Sequence, residues 1–395
     1  MSAIGGVVDF RNGNVGFSEL NAIKNAQTLR GRDSSVEFFD SGVGMFYNSD
    51  GIFECEQPII SERSGYNTVL AIDAPFFDGK AAIEAYLTYG VEFLGMLALP
   101  FAVALYDSKR RMLLLARDKN GKKPLFYRLK SGKVLFSSEP KGILAIDDKE
   151  SGAVRVNKEV LSEHLTSPVG VYGASDIYSD IFEVRRGECI LFSELGVSRF
   201  FYRGSTHRQI KSRIGEGAKG RSLEPLPDIC ASDVIASLED ALIAFDIPQF
   251  DVSMPSLCRL FSSARDGSVF RFDDYIKKEN LLYSYEREDR LSAFYGKMGF
   301  GMIVSPDRYE GLRIKYEEEK KRSFEILAEL FLSLERNEIL FLRSIIGDLK
   351  FNLILKRLDK ENVKKENTEQ MVRTLGMLYQ AAKWSKLRRI EFVGM

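Results

Sequence analysis

Up to about residue 204 the apolar residues fall in short runs, each closed by Gly, Asp, Asn or Ser: IGGVVDF, VGMFYN, TVLAID, FAVALYD, RMLLLARD, PLFYRL, VLFSS and GECILFS. Such runs predict strands joined by turns. Two longer segments between them, FSELNAIKNAQTLR (17–30) and KAAIEAYLTYGVEFLGML (80–97), carry helical patterning. Many strands with a few amphipathic helices predict an α+β domain of stacked antiparallel sheets. Residues 204–227, GSTHRQIKSRIGEGAKGRSLEPLP, are basic, Gly-containing and poor in apolar residues, as a linker or exposed loop is. Beyond it the texture turns helical: residues 233–247, with Asp233 or Ser232 as N-cap, and then the chain from Tyr309 to its end. The charged faces of those helices read as solvent-facing stripes. Residues 359–370, DKENVKKENTEQ, form a polar break between helices. The predicted organisation is a first domain over 1–203, a linker over 204–231 and a mostly helical second domain over 232–395.

A length of 395 residues fits two cores better than one. Lys+Arg and Asp+Glu balance at 56 each, which removes a global electrostatic case for nucleic acid, so no nucleic-acid partner is expected. Cys55, Cys189, Cys230 and Cys258 are far apart, and His164 and His207 are the only histidines. That leaves little material for a zinc site or a His-based triad, and no metal site is expected. The cysteine spacing gives no disulfide framework, which points to a reducing cytoplasm. No basic-then-apolar leader is visible. The longest apolar run, FLGMLALPFAVALY (93–106), is shorter than the roughly 20 residues of a membrane span and contains Pro100. A soluble, cytoplasmic protein without a membrane partner is therefore expected.

Two local motifs invite chemistry. Within the linker, GEGAKGRS (215–222) satisfies GxGxxG and nearly satisfies the phosphate-binding loop GxxxxGK[ST], with Arg221 in place of lysine. That mechanism needs a strand before the loop and a helix after it. Here THRQIKSRI precedes and LEPLP follows, and Pro225 and Pro227 bar a long helix. A flexible basic linker is the better reading. The chain also opens Met-Ser; removal of Met1 would leave Ser2 with a free α-amine beside its hydroxyl, a self-contained nucleophile–base pair. Position alone does not make it catalytic.

The segment LPFAVALYDSKRRMLLLARDKNGKKPLFYRLKSGKVLFSSEPKGILAI (99–146) is far more specific. It resembles the N-terminal domain of glutamine-dependent asparagine synthetases. MSAIGG, TLRGRDSS (28–35) and DIYSDIFEVRRGECILFSELGVSRFFYR extend the likeness over most of residues 1–203. Residues 236–270, ASLEDALIAFDIPQFDVSMPSLCRLFSSARDGSVF, and the closing KWSKLRRIEFVGM are similar to pieces of the synthetase domain. The resemblance implies a four-layer N-terminal nucleophile amidohydrolase-like sandwich of antiparallel sheets with helices outside. A mostly α-helical remnant of an adenine-nucleotide α-hydrolase-like synthetase domain would follow it.

In that family the residue after Met1 is a cysteine nucleophile; this chain has Ser2. The family's NGE motif, whose Asn and Gly serve the oxyanion and whose Glu holds the substrate amine, falls on Asp73, Ala74 and Pro75. A carboxylate repels a developing oxyanion, and loss of one proper donor costs about 10²–10³ in rate. MFYNSD (45–50) offers no arginine for the substrate carboxylate, and the pyrophosphate loop SGGLDSS is missing. In SVFRFDDYIKKEN (268–280), Asp273 and Asp274 persist without the glycines that admit phosphate, and they read as a solvated surface pair. The turn residues Arg117, Asp118, Gly121, Lys122, Pro124, Ser138 and Glu139 persist, so a scaffold survives emptied of its chemistry. The expected function is that of a pseudoenzyme without cofactor. It would bind a protein partner, a further copy of itself, or a small amino-acid ligand in the vestigial pocket at Asp73 and Ala74. The alternative is an amidotransferase or amide ligase, using Ser2 or new chemistry at Asp73, with ATP and magnesium only if the second domain is active. FRFDDYIKKENLLYSYEREDRLSAFYGKMGFGM (270–302) is either an interaction segment or aromatic packing between domains.

Overall fold

The structure, a computed structural model, describes residues 2–31, 34–49, 57–74, 78–149, 152–166, 173–204, 210, 230–250, 254–255, 258–259, 309–358, 368–388 and 390–393. The phosphate-loop-like stretch 215–222, nearly all of the linker, Pro75, Cys55, His207, Asp273 and Asp274, and the aromatic segment 270–302 lie outside the described residues. The chain divides into two compact units. Met1–Ser151 and Asp180–Lys219 belong to the first; Gly152–Ser179, Gly220–Glu279 and Gly299–Met395 belong to the second.

The first unit contains, in chain order, β1 (Ala3–Asp9), α1 (Phe17–Ala26), β2 (Ser34–Asp40), β3 (Val43–Ser49), β4 (Ile59–Arg63), β5 (Tyr66–Asp73), α2 (Gly79–Tyr89), β6 (Ala102–Asp107), β7 (Met112–Arg117), β8 (Phe126–Lys130), β9 (Lys133–Ser137) and α3 (Pro140–Lys149). After residues that belong to the second unit, β11 (Phe182–Glu183), β12 (Glu188–Ser193) and β13 (Gly196–Phe201) complete it. The strands form two six-stranded sheets, ordered β11-β8-β9-β1-β3-β2 and β13-β12-β7-β6-β5-β4. Neighbours in both pair antiparallel. Their facing sides bury Ile4, Tyr47, Val69, Ala104, Leu115 and Phe136 in one core. On the outer side of the second sheet, Leu70, Ile72 and Val103 pack with Ile83 and Tyr86 of α2 and with Phe93. On the outer side of the first, α1 and α3 pack against each other and against β1, β3 and β9. Helices therefore flank a two-sheet sandwich, the four layers expected from the sequence. A strand such as β1, buried along its whole length, is the consequence of cover on both faces.

Both long helical predictions shorten. Segment 17–30 is helical only to Ala26; Gln27, Thr28 and Arg30 then bond three residues back, N–H to carbonyl, and the chain turns away. Segment 80–97 divides at Gly90, whose φ of 59° ends α2, and a 3₁₀ segment Gly90–Met96 follows.

The second unit holds β10 (Val154–Asn157), α4 (Lys158–Thr166), α5 (Ala174–Ile177), α6 (Ala231–Phe245), α7 (Tyr309–Leu332), α8 (Arg336–Ile346), α9 (Asp348–Arg357), α10 (Thr368–Leu387) and β14 (Ile390–Val393). Residues 152–179, placed by the sequence reading in the first domain, cluster here instead, because β10 pairs in parallel with β14 from the far end of the chain. The Tyr178 hydroxyl also bonds the Asp246 carbonyl. The N-cap of α6 is Cys230, neither Ser232 nor Asp233. Asp233 stands at the third helical position and accepts the Cys230 backbone N–H at 2.7 Å, the reverse half of a capping box. Buried Gln380 joins two helices, accepting the Gln249 N–H at 2.6 Å and donating to the Leu238 carbonyl at 2.8 Å. The polar break 359–370 ends in helix, since α10 begins at Thr368. Among the described residues no helix is long and apolar enough to cross a membrane.

Candidate functional site

Ser2 enters β1, an interior strand of the first sheet, and is only 8% exposed. Ile4, two residues on, lies opposite Tyr47 in the register of β1 with β3 and shares its inter-sheet core. Strand alternation sends the Ser2 side chain the same way, and its hydroxyl lies 2.8 Å from the Tyr47 hydroxyl. The Ser2 carbonyl accepts from Arg30 Nε at 3.0 Å.

Arg30 is delivered by the turn that ends the helical prediction. Gly31, at φ 71°, follows it; a Cβ there would stand 2.4 Å from the backbone of Asn48. Only glycine lets this turn lie flat on β3. Arg30 is fully buried and reaches across the sandwich: its Nη2 meets Asp73 Oδ2 at 3.1 Å, at the end of β5 in the second sheet. The other Asp73 oxygen lies 3.4 Å from Lys123 Nζ. On its other side Arg30 Nη1 is 3.8 Å from Glu139 Oε1, and Glu139 Oε2 is 3.2 Å from Lys141 Nζ. Arg30, Asp73, Lys123, Glu139 and Lys141 are each about nine-tenths buried or more, where ions persist only if paired and hydrogen-bonded. Arg30 thus ties the first sheet, through Ser2, to the second, through Asp73.

The turn ARDKNGKK is the scaffold of this end. Arg117 donates to the carbonyls of Gly121 (2.7 Å), Lys123 (2.6 Å) and Val184 (2.8 Å) and pairs with Glu183. Asp118 accepts the backbone N–H groups of Asn120 and Lys122, each at 2.9 Å. Burial holds the Asp118 carboxyl above the ordinary carboxylate range even though backbone N–H groups favour its charged form. Gly121 has φ 63°, the left-handed turn expected for it. This turn presents Lys123 to Asp73.

Of the site residues read from the sequence, the structure brings Ser2 and Asp73 together, both on Arg30. Ala74 goes elsewhere: it packs against the core beneath α2. MFYNSD supplies Tyr47 to Ser2 and no cation. Sequence reasoning missed the pairing of Arg30, Lys123, Glu139 and Lys141 with the site. The available signal was that each lies in a Gly- or Pro-containing turn, LRGR, GKKP or SEPK, that the family resemblance had already marked. Chemically, a phenol is a weak base at neutral pH, so Tyr47 is a partner for the Ser2 hydroxyl and no strong activator. Asp73 as a carboxylate has acceptors to offer and an oxyanion needs donors. His164, the one described histidine, belongs to α4 in the second unit, and no described group of three or more His, Cys, Asp or Glu residues is arranged to hold a metal.

Residues 77–203 match the family model of a glutamine amidotransferase domain. Ser2, Arg30 and Asp73 precede that span, whereas Lys123, Glu139 and Lys141 fall within it. The chain is 32% identical over 125 residues to Asparagine synthetase [glutamine-hydrolyzing] 3 of Bacillus subtilis, covering 32% of this chain and 20% of that protein. It is 30% identical over 132 residues to Amidase chyE of Penicillium rubens, again covering 32% of this chain and 20% of that protein. It spans about a fifth of the length of these curated relatives. A solved structure, the allosteric regulatory enzyme of purine biosynthesis, aligns with a TM-score of 0.34 at 11% identity, over 78% of this chain and 69% of that one. Residues 77–203 thus carry the sequence of a glutamine amidotransferase domain, and part of the chain is similar to glutamine-hydrolysing asparagine synthetases.

Proposed function

We propose that this protein is a pseudoenzyme of the asparagine synthetase-like group, in which the former glutaminase centre has become a structural ion-pair cluster and the protein acts by binding. The observation that carries this reading is the pairing of Asp73, at the position of the family's oxyanion donor, with Arg30 and Lys123. A carboxylate held by two buried cations has no proton to donate to an oxyanion, and its charge opposes the transition state. The Ser2 hydroxyl is likewise engaged by Tyr47. On this reading the helical second unit is a remnant of the synthetase domain that needs neither ATP nor magnesium, the protein works in the cytoplasm, and its ligand is a protein partner, a second copy or a small amino acid.

A second reading draws on the approach of Ser2 and Asp73 to one arginine: a residual amidotransferase in which Ser2 hydrolyses glutamine, as the names of the relatives suggest for those proteins. The two readings separate in one assay. Purified protein with verified removal of Met1 is incubated with glutamine, aspartate, ATP and magnesium, and glutamate and AMP are followed separately. The expected result is neither product above background. Glutamate that disappears in Ser2→Ala would overturn the pseudoenzyme reading, and AMP would place a working nucleotide site in the second unit.

A further inference from the structure

The second unit contains a groove of about 570 Å³ between α4 and the corner where α8 passes into α9. Ligand sites commonly span roughly 300–1,000 Å³. Its walls are Lys158, Glu159, Ser162 and Glu163 of α4 and Lys350 of α9, and Ile345 of α8 is buried at its base. Helical spacing puts Glu159 and Glu163 on one face, one turn apart, where like charges repel. The Lys158 ammonium stands 5.9 Å from the ring centroid of Phe392 on β14. Among the described residues, none of these four charged groups lies within ion-pair distance of another, although two ammonium groups and two carboxylates line one groove. These charges are solvated by water, which a ligand carrying both signs can displace while meeting both. Charge-assisted bonds to both signs at once require a ligand carrying both.

We propose that this groove binds amino-acid zwitterions up to the size of a dipeptide, with Lys158 and Lys350 receiving the carboxylate and Glu159 and Glu163 the ammonium. Ile345 gives an apolar floor for the ligand's carbon chain. The site lies within the second unit and does not depend on the chemistry of Ser2. Its failure would leave the reading of that centre as it stands. Because Glu159, Glu163 and Lys350 are exposed, each contact is screened by water, and a dissociation constant on the order of 1 mM is expected.

The test is calorimetric titration of the full chain with L-glutamine, L-asparagine and glycylglycine, beside N-acetyl-L-glutamine and L-glutaminamide, which each lack one charge. Zwitterions are expected to bind and each single-charge analogue to bind about tenfold more weakly or worse. Glu163→Gln and Lys350→Met, both at exposed positions and checked for unchanged circular dichroism, should each weaken binding several-fold, while Ser2→Ala should not. No heat with any zwitterion overturns the proposal. So does equal affinity for the single-charge analogues, or binding that is indifferent to both groove substitutions, which would put the ligand elsewhere.

Discussion

Arg30 is fully buried and touches a backbone carbonyl in one sheet and a carboxylate in the other. Removing one member of such a cluster leaves the others charged in a low-dielectric interior, which costs far more than the net worth of the pair. Arg30→Met is therefore expected to lower the unfolding free energy by about 3–5 kcal/mol, read by urea denaturation. A loss below about 1 kcal/mol would mean that water reaches Asp73 and Glu139 and that the cluster is no strut. At this scale the sequence disclosed identities and little else. The resemblance of motifs marked Ser2 and Asp73 as the residues to examine. That Asp73 faces Arg30 and Lys123 is not legible there, because those residues are 43 and 50 positions away and meet only when β5 pairs with β6 and the turn after α1 folds onto β3.

The turn that places Arg30 is a property of an element. Gly31→Ala would force a Cβ to within 2.4 Å of the Asn48 backbone at a φ of 71°, conditions under which L-residues are strained by about 1–3 kcal/mol before any clash is counted. The expected outcome is a marked fall in melting temperature with strand content retained in circular dichroism; an unchanged melting temperature would show that the turn relaxes freely. The strands carried by the interior of the sandwich were all readable as apolar runs. Those missed, β2, β4, β10, β11, β13 and β14, include the edge strands of both sheets, and β2 and β13 are largely exposed. An edge strand buries too little to impose an apolar pattern, so nothing in its sequence separates it from a loop. Helix ends were missed for a related reason: Cys230 caps α6 through its backbone and the Asp233 side chain, a role its own side chain does not advertise.

For the molecule as a whole, His164 is one of the groups that link stability to pH. His164 is buried in the second unit, bonded through Nε2 to the Pro248 carbonyl at 2.8 Å, and burial drives its pKa down to about 4 from 6.5, with Arg373 adding to the shift. The imidazole is neutral in the fold and protonates more readily once unfolded. Its contribution is therefore complete above about pH 6.5 and is lost as pH falls towards 4. The gap corresponds to about 3 kcal/mol. Denaturation at pH 7.5, 6, 5 and 4 should show wild-type stability falling through that window and His164→Gln falling less steeply. Parallel slopes for the two proteins would remove His164 as the cause. The same region shows why domain boundaries resisted reading: residues 152–179 join the second unit by pairing β10 with β14, more than 200 residues later, and no local composition marks such a return.

The sequence by itself determined the alternation of strands and helices, the sandwich class, the helical character of the later chain and the kinship of residues 99–146, because these rest on local periodicity and on turns whose residue types cannot vary freely. Only the tertiary structure decided what the substituted positions do. Burial makes Asp73 one end of an ion-pair strut, and strand register turns the Ser2 hydroxyl onto Tyr47. The packing of α4 beside α8 and α9 gathers four charges around one groove, none of them within ion-pair distance of another among the described residues. Each depends on groups far apart in the chain being brought within a few ångströms in a medium that screens poorly, and that proximity is set by packing.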